Sequence, residues 1–438
     1  MSVRALLHRI IRAALEAVDP AQALARQVAV HRDRLTIGRV VYRLGPRRRV
    51  IVVGAGKAAA GMAVAIEAIF GRRITGGCVV TAYGHARRPQ LVDVLEASHP
   101  IPDAAGVDAA RDIARIVGEA RAQDLLIVLL SGGASSLLVA LATGITLRDK
   151  QRVTEALLRS GATIQEVNTV HKHLSSLKGG QLAARTRARI VTLILSDVLG
   201  DDLSSIGSGP TVPDPTTFAD ARAILRRYRL WEKLPSSVKR HLEMGCTGQI
   251  PDTPKPGASH SRRTQHVIIA NNQTALSAAA RELSAAGIRT FVLSTMLTGE
   301  AREAGALFGA LAQQIAGRGR PLARPCCVLA GGELTVTVTG RGVGGRAQEF
   351  ALSAARHISG LGRAWVIGFG TDGRDGPTDA AGAIVDGQTW ARAQRQGLQP
   401  SRALTRHNVY PLLKRLRCLL RTGPTGTNVN DLYLLLML

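Results

Sequence analysis

Short apolar runs recur along the chain, at residues 50–53, 78–81, 92–97, 125–130 and 190–195, separated by stretches whose apolar positions fall at helical spacing. Such runs, bounded by charge or turn residues, predict strands buried on both faces. Their alternation with helices predicts βαβ units and a mostly parallel sheet. A Pro-, Gly- and Ser-rich segment, PDTPKPGASHSRR, interrupts the pattern at 251–264 and predicts a linker or surface loop. Beyond it the alternation resumes with HVIIANN, TFVLST, CCVLAGGE, LTVTVTG, AWVIGFG and LYLLLML. LTVTVTG alternates strictly, which predicts a half-exposed strand and some antiparallel pairing. The pattern thus predicts an α/β protein with a parallel-sheet domain over 1–250 and a second α/β domain with a mixed sheet over 265–438. A chain of 438 residues exceeds one ordinary core, and ligands are expected in a cleft between the two domains.

Composition narrows the function. The net charge of +25 rests on 49 arginines and only eight lysines. The arginines are scattered over most predicted helices, and aromatic residues make up 3%. That dispersal argues for compositional bias and against a nucleic-acid surface. Five cysteines, at 78, 246, 326, 327 and 418, show no CxxC spacing, which disfavours disulfides and zinc and points to a reducing, cytoplasmic setting. The segment MSVRALLHRIIRAALEAVDP reads as an amphipathic helix rather than a secretory signal. No apolar run reaches about 18 residues, so no membrane span is expected.

Few lysines make each one informative, because a compact point charge is not interchangeable with a guanidinium. VVGAGKAAAGMA, residues 52–63, puts Lys57 in a glycine turn between a strand and a helix, where Gly54 and Gly56 would expose backbone N–H groups to an anion. A dinucleotide fingerprint would need an acid about 20 residues on; GGCVVTAYG has none, and GxxxxGK[ST] spacing is also absent. LLSGGASSLL offers Ser131, Gly132 and Gly133 as a second phosphate-lining turn but does not match GxSxG. In EVNTVHKHLSSLKGGQLA, helical spacing brings Asn168, Lys172 and Ser175 together. His171 and His173 fall on different faces and read as surface histidines, while Lys178-Gly179-Gly180 reads as a helix end. Asp197, in LILSDVLGDD, stands at the C-terminal end of a strand, where active-site carboxylates of α/β folds collect. In the second half, Glu333, Arg341, Arg346, Gln348 and Glu349 surround a glycine-rich helix entry, and GFGTDGRDGPTDAAGA carries Asp372, Asp375 and Asp379. TGPTGTNVNDL is a further turn feeding the last strand.

In this order, GAGKAA, SDVLGDD, SGPTVPDPTT, GGE, GRAQEFAL, GTDGRDGPTDAAGA and TGPTGTNVNDL resemble the class II glycerate kinases, which combine a Rossmann-like N-terminal domain with a C-terminal MOFRL region. The resemblance spans nearly the whole chain. It implies phosphorylation of D-glycerate at the 2-hydroxyl with ATP and a divalent cation, and it places the family's two catalytic cations on Lys57 and Arg346. Gly54, Gly56, Ser131, Gly132, Gly133, Asn168, Lys172, Glu333, Gln348 and Asp372 are then expected to line the substrate and phosphate sites. Asp197 is expected as Mg²⁺ ligand or hydroxyl-orienting base, with Asp372 and Asp375 as second candidates, Asp375 for the metal. Two positions depart from the family pattern: His171 stands where Arg is expected, and Ala347 where Asn is. The expected partners are small molecules, not nucleic acid or membrane; a homodimer is left open. An NAD(P)H-dependent hydroxypyruvate reductase is the alternative activity.

Overall fold

The structure, a computed structural model, describes residues 2–45 and 48–438. The chain divides into two compact units: a continuous one, Pro20–Ile269, and a split one that joins Met1–Asp19 to Ala270–Leu438.

The continuous unit opens with a small antiparallel sheet, β1 (Val28–His31), β2 (Arg34–Ile37) and β3 (Val40–Arg43). Sequence patterning does not reveal it, because charged residues interrupt these four-residue strands. Its main sheet contains β4 (Val50–Ala55), β5 (Ile74–Ala82), β6 (Asp93–Ala97), β7 (Leu125–Leu130), β8 (Arg189–Leu195) and β9 (Thr264–Ala270), in the order β6-β5-β4-β7-β8-β9. The pairings from β6 across to β8 are parallel. β4 and β7 are buried along their whole length, as the apolar runs predict for strands covered on both faces. β9, predicted to begin the second domain, completes this sheet beside β8. The predicted linker before it is ordered: Asp214 N donates to Pro254 O at 2.8 Å, and Thr253 and His260 are buried. Strand order reverses between β4 and β7, the switch point where doubly wound sheets open a crevice beyond the strand ends.

The split unit holds a mixed sheet of β10 (Arg289–Leu297), β11 (Cys326–Gly332), β12 (Ala364–Gly370), β13 (Gly382–Asp386), β14 (Leu419–Leu420) and β15 (Asp431–Met437), ordered β10-β11-β15-β12-β13-β14. Mixed pairing is therefore present, but LTVTVTG does not supply it. Residues 334–340 form no strand beyond a bridge from Thr335 to Glu300, and Val338 is 62% exposed. β10 and β11 pair in parallel; β15, whose apolar run is inserted between β11 and β12, pairs antiparallel with both, and β12–β13 and β13–β14 are antiparallel as well. The N-terminal helix Val3–Ala17 packs on the helix Asn272–Ala285, with Arg9 paired to Glu282 at 2.7 Å. It belongs to this unit, not to the parallel-sheet domain it was expected to open.

Candidate active site

At the switch point of the continuous unit, the turn after β4 locks against the turn after β7. The N–H groups of Gly56, Lys57 and Ala58 donate to Val80 O, Gly132 O and Ser131 Oγ at 3.0, 2.8 and 3.0 Å, and Ala59 N donates to Gly56 O at 3.0 Å. Donors expected to face an anion are thus consumed inside the protein. Gly54 and Gly56 serve close approach: a Cβ on Gly54 would stand 2.4 Å from Leu129 O, and one on Gly56, whose φ is +133°, 2.2 Å from Ser131 Oγ. What the turn leaves for a ligand is the half-buried Lys57 side chain.

Asp197, just beyond β8, lies against the second turn. A Cβ on Gly132 would meet its Oδ2 at 2.0 Å, so only glycine admits the carboxylate here. A Cβ on Gly133 would contact His99 Cδ2 at 2.9 Å and Lys57 Cγ at 3.5 Å. Lys57, His99 and Asp197 therefore surround Gly132-Gly133. Burial, with Lys57 and His85 as nearby positive groups, lowers the pKa of His99 to about 4, so its ring is neutral at pH 7. His99 was not among the residues singled out from sequence; a lone His-Pro after a strand carries no distinctive spacing.

A polar chain runs from the same turn into the interior. Lys178 Nζ donates to Ser135 O at 2.6 Å and to Ser135 Oγ at 2.8 Å. Ser135 Oγ is 2.8 Å from Ser208 Oγ, which donates to Asn168 Oδ1 at 2.8 Å. Asn168 thus joins the site through Ser208. Lys172 turns elsewhere: it pairs with Asp214 at 3.2 Å, both side chains buried, and Asp214 also accepts from Thr216 and Thr253. That ion pair ties the helix Ile164–His173 to the loop carrying Asp214. His171 and His173 correct the surface reading, being 8% and 1% exposed. Nδ1 of His173 lies 2.8 Å from Thr169 O and Nε2 3.0 Å from Asp252. His171 contacts Thr154 at 3.1 Å, and burial beside Lys150 and Lys178 drives its pKa far down.

In the split unit Arg346 is the first residue of the helix Arg346–His357. Its Nε and Nη2 donate to the two oxygens of Asp431 at 2.5 and 3.2 Å, and Nη1 reaches Glu333 at 2.8 Å. Burial pulls the guanidinium pKa down, but the two carboxylates more than offset it, so the charge is permanent. Asp431, at the start of β15, was missed as a site residue although TNVNDL was noted. It opens β15, but because that strand runs antiparallel it stands opposite Gly332 and Gly370, at the C-terminal ends of β11 and β12. Arg346, Glu349, Asp372, Arg374 and His407 line an open cavity of about 690 Å³, and His407 Nδ1 lies 2.9 Å from Glu349.

Two predicted ligands face inward instead. Asp375 accepts from Ala347 N and Gln348 N at 3.0 and 2.8 Å, capping the helix, and burial next to Asp431 raises its pKa to about 7. Both oxygens are engaged by the helix N–H groups, which makes a poor metal ligand. Gln348 is fully buried and donates to Thr378 at 3.0 Å. Ala347, where the family pattern leads one to expect Asn, is also fully buried, so its side chain does not reach a ligand.

Residues 6–243 match a domain of unknown function, DUF4147, and residues 326–431 match the MOFRL family. A "Glycerate 2-kinase" of Pyrococcus horikoshii is 43% identical over 435 residues, covering 99% of this chain and 97% of the relative. This chain belongs to the glycerate 2-kinase family. A crystal structure of the glycerate kinase of Thermotoga maritima superposes with a TM-score of 0.89 at 39% identity, covering 100% of this chain and 99% of that one. A relative from Agrobacterium vitis instead carries the provisional name of a hydroxypyruvate reductase, at 43% identity over 100% of this chain and 95% of its own length. Among the described residues no helix is long and apolar enough to cross a membrane.

Proposed function

We propose that this chain is a glycerate 2-kinase, transferring the γ-phosphoryl group of ATP to the 2-hydroxyl of D-glycerate. The observation that carries the reading is the Gly132-Gly133 turn, where a lysine and a carboxylate flank backbone at the switch point while the adjoining helix start has spent its N–H donors on the protein. Phosphoryl transfer needs little covalent help from the protein. It needs positioning and charge opposite the equatorial oxygens, where negative charge spreads in the transition state. Within the continuous unit Lys57 supplies a compact positive charge beside the Ser131–Gly133 turn; within the split unit Arg346, fixed by Asp431 and Glu333, supplies a permanent one beside Asp372.

Mg²⁺ suits Asp197. The carboxylate sits in a cradle that a Cβ would fill, and Mg²⁺ commonly takes one or two carboxylates with phosphate oxygens completing the shell. Among the described residues no three His, Cys, Asp or Glu side chains gather as a metal cluster, which favours a cation carried mainly on the nucleotide. Bound there, Mg²⁺ would neutralise phosphate charge. Five free thiols support a reducing, cytoplasmic setting.

The reductase reading would require the turn after β4 to hold a dinucleotide. Its N–H groups are occupied, and no acid follows β5 in Tyr83-Gly84-His85. The deciding experiment supplies D-glycerate and Mg-ATP in one reaction, and hydroxypyruvate with NADH or NADPH in another. Enolase coupling with and without phosphoglycerate mutase identifies the product isomer. ADP release with mutase-independent product is expected; nicotinamide oxidation without ADP release would overturn the proposal.

A further inference from the structure

Lys178 is the group that the phosphoryl-transfer reading leaves unexplained. It is 1% exposed, and among the described residues its Nζ hydrogen-bonds only to the carbonyl and hydroxyl of Ser135. Lysines 172, 239 and 255 each pair with a carboxylate; among the described residues Lys178 forms no ion pair. The titratable groups around it are Lys150 from the helix Leu147–Ser160 and His171 from the helix Ile164–His173, both buried bases that add no counter-charge. The other adjoining segments, Ala134–Leu137, Gln181–Ala184 and Ile206–Ser208, contain no titratable side chain. An ammonium held there would be a buried charge without compensation, which costs several kcal/mol, and the group sheds its proton instead.

Ser135 is placed differently. It is partly exposed, follows the Gly132-Gly133 turn by two residues, and presents one hydroxyl to both Lys178 and Ser208. It thus connects the turn surface to the dry amine behind it.

We infer that Ser135 takes the proton of the attacking glycerate hydroxyl while handing its own to the neutral Lys178 amine, so that the pair is the general base of the reaction. This rests on the glycerate kinase reading. The 2-hydroxyl oxygen forms its bond to the γ-phosphorus as the bond from that phosphorus to the β,γ-bridging oxygen breaks and ADP departs. Once Lys178 is neutral, the Ser135 hydroxyl turns from Ser208 Oγ to the amine; the glycerate hydroxyl proton then moves to Ser135 Oγ, the serine proton moves to Lys178 Nζ, and the ammonium so formed, donating to Ser135, returns a proton to solvent after product release. Burial lowers the pKa of Lys178 to about 7, near the value at which a base is most effective at neutral pH. Ser135 touches substrate; Lys178 acts through it as a positioning and proton-holding residue.

The test is the pH profile of kcat/KM for D-glycerate between pH 5.5 and 9, measured on the intact chain with saturating Mg-ATP. The wild type should lose tenfold per pH unit below about 7 and stay flat above it. K178M should lower kcat at least a hundredfold with KM for both substrates within threefold, and K178R, permanently charged, should be as poor. K178A should be rescued by added methylamine or ethylamine, more so as pH rises. S135A, which removes only a hydroxyl, should fall at least tenfold and keeps the test available where a lysine variant does not fold. A flat wild-type profile, or K178M and S135A within threefold of wild type, would overturn the inference. Absence of any glycerate-dependent ADP release in the wild type would instead overturn the kinase reading beneath it.

Discussion

At the scale of single residues, Lys57 and His99 report on each other. Lys57→Ala should lower kcat more than tenfold, about 1.4 kcal/mol of barrier, without changing the unfolding temperature, because among the described residues its side chain makes no ion pair. Unchanged turnover would remove it from the mechanism. The same substitution carries a readout independent of activity. Burial is the larger cause of the low His99 pKa and Lys57 the next, so removing the charge should move the histidine upward, part of the way from about 4 toward 6.5, in an NMR titration. A fixed pKa would mean the two groups are not neighbours in solution. Lys57 was legible in the sequence because lysine is rare in this chain and stands in a glycine turn. His99 and Lys178 were not: one lies in a plain His-Pro, and the other looks like an ordinary basic helix end. Only the fold brings them to the turn after β7.

At the scale of elements, carboxylates divide between chemistry and capping, and sequence position alone does not separate them. Asp197 and Asp375 both follow strands and both lie against a glycine, Gly132 and Gly345, yet Asp375 also accepts from two helix N–H groups. Asp375→Ala would leave those buried donors without partners, at about 1–3 kcal/mol each, and thermal unfolding should show that loss. Its pH dependence has a definite sign. The folded pKa near 7 lies above the ordinary 3.8, so the native state binds the extra proton between these values and stability falls as pH rises from about 4 to 7. Asp375→Asn should flatten that slope; an unaltered slope would assign it to other groups. At the other carboxylate, Gly132→Ala should push Asp197 aside and raise the Mg²⁺ concentration needed for half-maximal turnover. A fall in stability alone, with Mg²⁺ dependence intact, would make Asp197 structural. The buried strands β4, β7, β8, β11, β12 and β15 could be read from their apolar runs. The short sheet β1–β3 could not, and LTVTVTG misled because alternation records a pattern of side chains and not the presence of a pairing partner.

At the scale of the whole molecule, the boundary in sequence is not the boundary in space. Texture changes at 251–264, but the parallel sheet is completed only by β9 beyond it, and the split unit recruits the chain's first helix. That helix buries Leu6, Leu7, Ile10, Ile11 and Ala14, an apolar stripe at helical spacing that looks the same whichever core it faces. Its anchors are specific: Arg9 to Glu282 at 2.7 Å, and Thr427 Oγ1 to Val18 O at 2.6 Å. Fully burying one large aliphatic side chain is worth about 1.5–3 kcal/mol, so losing four of them exceeds what an exposed ion pair could restore. Removing residues 1–19 should therefore destabilise Ala270–Leu438, distant in sequence, while sparing the parallel sheet of Pro20–Ile269. Limited proteolysis of the truncated chain distinguishes the cases. Early cleavage within 270–438 with survival of a fragment near 20–269 is expected. The reverse pattern would show that the helix belongs to the parallel-sheet unit after all.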